Sequence, residues 1–149
     1  MRLLLVLCLA FTLVTPPVSA RGSTENVSAP AVAAVNKLRA RHGRTALRAE
    51  PRLARAAASH ADDMARKRFF SHTGSNGSTV GNRARAHEYG PCVIAENIAK
   101  GHPRLDLVLR DWMRSRGHRR NILNAEVTDF AIVRGRDNLW VMMLGRPGC

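Results

Sequence analysis

The chain has 149 residues, with 24 Lys or Arg against 11 Asp or Glu, a formal charge of +13 and 45% apolar residues. That length suits one domain, able to bury roughly two-thirds of its unfolded surface. No apolar run reaches the roughly 20 residues needed to cross a bilayer, so a membrane-spanning chain is excluded.

Met1 to Ala20 reads as a secretory signal peptide. Arg2 supplies a positive start, Leu3 to Val14 an almost unbroken apolar run, and Val18 and Ala20 the small residues of a cleavage site. Pro16-Pro17 prevents the run from lengthening into an anchoring helix. The mature chain should begin at Arg21, secreted to the cell exterior. Cys8 leaves with this segment; the bulky Leu7 before it argues against a lipid anchor there. Cys92 and Cys149 then remain as an even pair in an oxidising compartment, and a bridge between them is expected. It would close a loop of nearly sixty residues, worth about 4 kcal/mol in chain entropy.

Residues 21–29 read as a flexible, polar N-terminus, and 30–149 as the folded domain. Pro30 can open a helix, along which Val32, Val35 and Leu38 recur at helical spacing up to Gly43, a C-cap candidate. Pro51 opens a second helix, with Leu53, Ala57, His60 and Met64 on one face, running to about Phe69. Residues 71–91 read as one long loop rich in Gly, Ser and Asn, and long ordered loops in small domains are usually functional. Cys92 to Ala99 reads as a strand or a short turn of helix carrying Glu96. Pro103 starts a third helix with Leu105, Val108, Leu109 and Trp112 as its apolar stripe; Gly117 interrupts it, and His118 to Leu123 forms a short further helix. Val127–Arg134 and Leu139–Leu144, separated by Gly135-Arg136-Asp137-Asn138, predict a β-hairpin. Helices first and an antiparallel pair last imply an α+β layered domain.

Four pieces in order carry a resemblance: His60-Ala61-Asp62-Asp63-Met64-Ala65; Ser71-His72-Thr73-Gly74; Ala95-Glu96-Asn97-Ile98-Ala99; and Trp112-Met113 followed by Ser115-Arg116-Gly117-His118-Arg119-Arg120-Asn121-Ile122-Leu123. Together they closely resemble the CAP superfamily of cysteine-rich secretory, antigen 5 and pathogenesis-related proteins, and most of all its short bacterial branch. The resemblance implies a three-layer α-β-α sandwich with a central antiparallel sheet. It also implies a cavity lined by two histidines and two glutamates. Here His72, Glu96 and His118 match three of these, and Ser115 stands where the second glutamate is expected. Ala95 replaces the usual glycine before Glu96. Some relatives bind sterols or fatty acids and some are described as proteases, but the fold does not fix the function.

The residues themselves allow several chemistries. Two neutral imidazoles, His72 and His118, can ligate Zn²⁺ or another divalent cation, with Glu96 as third ligand or as a carboxylate orienting an imidazole. The same trio could do acid–base work, or could be a buried hydrogen-bond network fixing three loops. No activated serine, no H-E-x-x-H and no paired catalytic carboxylates are visible. His60, on an apolar helix face, reads as a core histidine donating to a backbone carbonyl or an Asn. The function expected is therefore non-enzymatic binding of a small molecule, a lipid or a divalent metal at the His72/Glu96/Ser115/His118 cavity, or of an anionic cell-envelope polymer. A metal-dependent, protease-like hydrolase and a cationic, polyanion-binding protein are the alternatives. No required cofactor, no specific nucleic acid and a monomer are expected. The arginines are spread along the chain rather than clustered, which equally fits solvated, partnerless side chains.

Overall fold

The computed structural model describes residues 24–149; the expected signal segment 1–20 and the expected start at Arg21 lie outside the described residues. In chain order the elements are β1 (Glu25–Asn26), α1 (Ser28–Ala40), β2 (Arg48–Ala49), α2 (Pro51–Lys67), α3 (Val80–Ala86), β3 (Pro91–Ala99), α4 (Leu105–Arg114), α5 (Arg116–Ile122), β4 (Asp129–Arg134), a 3₁₀ turn (Arg136–Asn138) and β5 (Trp140–Pro147). The hairpin β4–β5 forms the centre of the sheet, whose order is β1-β4-β5-β3, with β2 also on β4. All pairings are antiparallel except that of β2 with β4.

β4 and β5 are apolar on both faces because helices cover both. Phe130, Ile132, Trp140, Met142 and Leu144 pack with α1, α4 and α5. Ala131, Val133, Val141 and Met143 alternate onto the opposite face and pack with α2 and α3. The molecule is thus the three-layer α-β-α sandwich that the motifs imply.

Local chemistry sets the helix limits. Pro51 occupies the first turn of α2, and the preceding Glu50 side chain accepts the Arg52 N–H at 3.0 Å. Arg68 ends that helix in the left-handed region, φ 56°. α1 closes through Gly43, whose N–H donates to the Ala40 carbonyl at φ +64°. Arg39, fully buried on α1, donates to the carbonyls of Thr45, Ile122 and Asn124 and so ties α1 to the end of α5.

Two expectations need correction, and two short strands went unforeseen. The segment 71–91 is not one loop: it holds α3, started by a capping box between Thr79 and Asn82. Seven residues are too few for a readable apolar period. The break between the third and fourth helices falls at Ser115, in extended backbone (φ −84°, ψ 121°), and Gly117 lies inside α5. The two-residue strands β1 and β2 carry no pattern that a sequence reading could detect. Cys92 and Cys149 are disulfide-bonded with Cα atoms 5.0 Å apart, which fastens the chain end to the start of β3.

Candidate functional site

β3 lies at one end of the sheet, with α3 against one of its faces and α5 against the other. Alternation along it sends adjacent residues to opposite layers. Glu96 pairs in register with Met143 and faces α2 and α3; Asn97 pairs with Met142 and faces α4 and α5.

The Glu96 carboxylate is 2% exposed, and both its oxygens are occupied. Oε2 accepts from Arg83 Nη2 at 2.7 Å, and Oε1 from His72 Nδ1 at 2.8 Å. His60 Nε2 stands 3.8 Å from Oε1 and donates to the Ser71 carbonyl at 2.9 Å, in line with a core histidine. Arg83 also donates to the carbonyls of Ser78 and His72. One buried guanidinium therefore holds the 72–78 loop against the sheet edge. Its positive charge and the carboxylate neutralise each other in a water-poor place, where either alone would cost several kcal/mol.

On the other side, Asn97 Nδ2 donates to the His118 carbonyl at 3.1 Å. Asn121 Nδ2 donates to Asn97 Oδ1 at 2.8 Å and to the Glu96 carbonyl at 3.2 Å, satisfying a backbone acceptor of the end strand. The His118 ring lies 6.3 Å from the Trp112 ring, centroid to centroid. Ser115 sits at the α4–α5 junction, and its side chain makes no capping hydrogen bond.

The three imidazoles have divergent titrations. The hydrogen bond to Glu96 raises the pKa of His72 against the opposing effect of burial. Burial lowers His60, although Glu96 pulls the other way. Burial and the charge of His72 lower His118. A histidine that favours its charged form within electrostatic reach of one that favours its neutral form can act as an acid–base pair. Glu96, with both oxygens engaged, stands as a carboxylate that orients His72 through Nδ1 and leaves the His72 Nε2 free, and among the described residues no group of three or more His, Cys, Asp or Glu side chains gathers to hold a cation.

A second feature lies in the opposite layer. α1 and α4 flank a groove of about 540 Å³. Its floor is apolar, from Ala34, Leu38, Leu109 and Met113, and its rim is basic, from Lys37, Arg41, Arg110, Arg114 and Arg119. Asp106, the acidic residue lining it, is paired with Arg104 at 2.9 Å. Lys37, Arg41, Arg114 and Arg119 form no ion pair with any described residue.

Residues 32–143 match the family model for CAP, the cysteine-rich secretory protein family. The chain belongs to the CAP family. This CAP domain is 28% identical over 125 residues to YkwD of Bacillus subtilis, an uncharacterized protein; the match covers 78% of this chain and 49% of YkwD. It is 27% identical over 97 residues to YlbC of the same organism, an uncharacterized membrane protein, covering 65% of this chain and 28% of YlbC. The chain thus spans about half the length of YkwD, and less of YlbC. Among solved structures, an extracellular protein containing an SCP domain from Bacillus anthracis superposes with a TM-score of 0.75 at 28% identity, over 80% of this chain and 40% of that one. An outer surface protein of Borrelia burgdorferi gives a TM-score of 0.72 at 20% identity, over 80% of this chain and 92% of that one, and shows the fold alone.

Sequence reasoning singled out His72, Glu96 and His118 but missed Arg83, one arginine among many with no motif around it. It also missed the groove. A signal was present there: Lys37 and Arg41, and Arg110 and Arg114, are i,i+4 cation pairs flanking Leu38 on one helix and Leu109 and Met113 on the other.

Proposed function

We propose that this CAP domain works outside the cell as a non-catalytic binding module for a single-chain anionic amphiphile, held in the α1–α4 groove. The observation that carries the reading is the groove itself, an apolar floor beneath a rim on which Lys37, Arg41, Arg114 and Arg119 have no carboxylate of their own. An acyl chain would remove Leu38, Leu109 and Met113 from water, at about 25 cal/mol per Å² of apolar surface covered. A carboxylate or phosphate head would meet Arg114, Arg119 or Arg41, and the guanidinium fork suits such oxyanions.

Action outside the cell is supported by three features. They are the signal-peptide pattern of residues 1–20, the Cys92–Cys149 bridge, and the extracellular description of the Bacillus anthracis relative. No described helix is long and apolar enough to cross a membrane. The His72–Glu96–Arg83 set serves in this reading to fix loops. The alternative of metal-dependent hydrolysis would rest on His72 and His118, since no group of three or more metal-ligating side chains is found among the described residues.

Calorimetric titration with hexadecanoate tests the proposal. The wild-type protein should bind one equivalent, and hexadecanol should bind at least tenfold more weakly. Leu38→Asp should abolish binding, because it buries a charge in the floor. Equal affinity for acid and alcohol, or wild-type binding by Leu38→Asp, would refute the groove as the site.

A further inference from the structure

The one large apolar side chain left exposed among the described residues is Phe70, at 50% exposure, just beyond the end of α2. Its neighbour Phe69 is tied to the core: the Phe69 N–H donates to the Met64 carbonyl at 3.2 Å, and its ring meets the His60 ring edge-on at 6.3 Å. The two phenyl rings share a depression of about 400 Å³ with Met64, Leu139, Arg68 and Lys100.

Cations surround this apolar spot. Arg66, Lys67 and Arg68 precede the rings in the chain, and Lys100 reaches the same depression from the end of β3. All four are exposed, and none forms an ion pair with a described residue. Two carboxylates stand near. Asp63 feels the charge of Arg66 but accepts the Ser75 N–H and hydroxyl. Asp137 lines the depression and pairs with neither Arg68 nor Lys100. Arg68 carries a second signal. It closes α2 in the left-handed region, φ 56° and ψ 43°, a position that glycine fills at no steric cost. The chain bears that strain and keeps a charge there, and strain of this kind collects at functional positions.

An exposed ring among unspent cations fits one kind of surface. A soluble polyanion would satisfy the cations and leave the Phe70 ring in water. A protein interface is depleted in lysine and has a wider apolar centre. An anionic bilayer offers both halves: charge at its surface and an apolar layer beneath, with the Lys and Arg stems lying along the boundary. We propose that this corner of the molecule docks on an anionic lipid bilayer, with Phe70 entering the headgroup boundary and Arg66, Lys67, Arg68 and Lys100 meeting the lipid phosphates. One inserted ring is a weak hold by itself, so docking needs the apolar and the cationic part together. The surface is separate from the α1–α4 groove and does not depend on it.

Sedimentation of the mature protein with phosphatidylcholine vesicles, with and without an equal share of phosphatidylglycerol, tests the proposal. Binding should require the anionic lipid and weaken as salt is raised. Phe70→Ser should weaken partition about tenfold or more with an unchanged melting temperature. Arg68→Gly should raise the melting temperature yet weaken partition about fivefold, the share of one cation. Phe70→Trp localises the contact. Trp112 and Trp140 are 2% and 1% exposed, so a blue shift of its emission on adding anionic vesicles, larger than any wild-type change, reports position 70 entering the lipid. Wild-type partition by Phe70→Ser would mean a contact through charge alone, as with a soluble polyanion. That result, an unshifted Phe70→Trp emission, or no binding to anionic vesicles would overturn the proposal.

Discussion

Two regions on opposite faces of the sheet treat charge differently: the buried cluster around Glu96 and the α1–α4 groove, although each helical layer holds paired and unpaired cations. In the α2/α3 layer, cations meet carboxylates of the protein: Arg83 meets Glu96, Arg52 meets Glu50 and Arg55 approaches Glu88. In the α1/α4/α5 layer, Lys37, Arg41, Arg114 and Arg119 surround an apolar groove without such partners. The first arrangement holds loops in place. The second leaves a field pointing outward, available to an anion from solution. A large net charge therefore says little until the fold shows which cations are already neutralised.

Mutating each layer should sharpen that contrast. Glu96→Ala strands the buried Arg83 and should cost about 3–5 kcal/mol in urea unfolding. Arg114→Ala on the groove rim should stay within about 0.5 kcal/mol. Similar costs for the two would break the distinction. Next in size is the disulfide, which spans 57 residues. Cys92→Ser with Cys149→Ser should remove about 2–4 kcal/mol, read from the same denaturation curves.

Gly145→Ala comes third. A Cβ there would lie 2.9 Å from the Tyr89 ring and 3.1 Å from the Val93 carbonyl, and Tyr89 is fully buried and donates to Asp129. A loss of about 1–3 kcal/mol is expected, with a lower melting temperature.

The smallest effect is on pH dependence. The folded pKa of His72 is raised, so its pairing with Glu96 stabilises fully below about pH 6.5 and fades as pH rises through that raised value. The stability gap between wild type and His72→Gln should therefore be full below the ordinary histidine value of about 6.5 and shrink as pH rises through the raised folded value. His118 is shifted the other way, and the penalty for charging it enters as pH falls below about 6.5. His118→Gln should lose less stability than wild type on acidification. Parallel pH profiles for wild type and both variants would remove the electrostatic account of this edge.

Much of the fold was legible because its strongest signals are periodic. The hairpin β4–β5 announced itself as two apolar runs around Gly135 to Asn138, and α2 by the spacing of Leu53, Ala57, His60 and Met64. α3 was hidden because only Gly81, Arg83 and Ala84 of its seven residues are buried, too few for a pattern. His72 and Glu96 could be named from motifs, but their partner Arg83 could not. Its role comes from burial, which folding alone decides. The groove needs α1 and α4 side by side although they lie far apart in the chain, so no local spacing reveals it.

The most direct test of the two-layer account is a backbone amide shift map of the mature protein titrated with hexadecanoate. The account predicts perturbations centred on residues 34–42 and 105–119, with 59–87 and Glu96 undisturbed. Perturbations centred on His72, Glu96 and Arg83 instead would contradict it and return the binding site to the edge of β3.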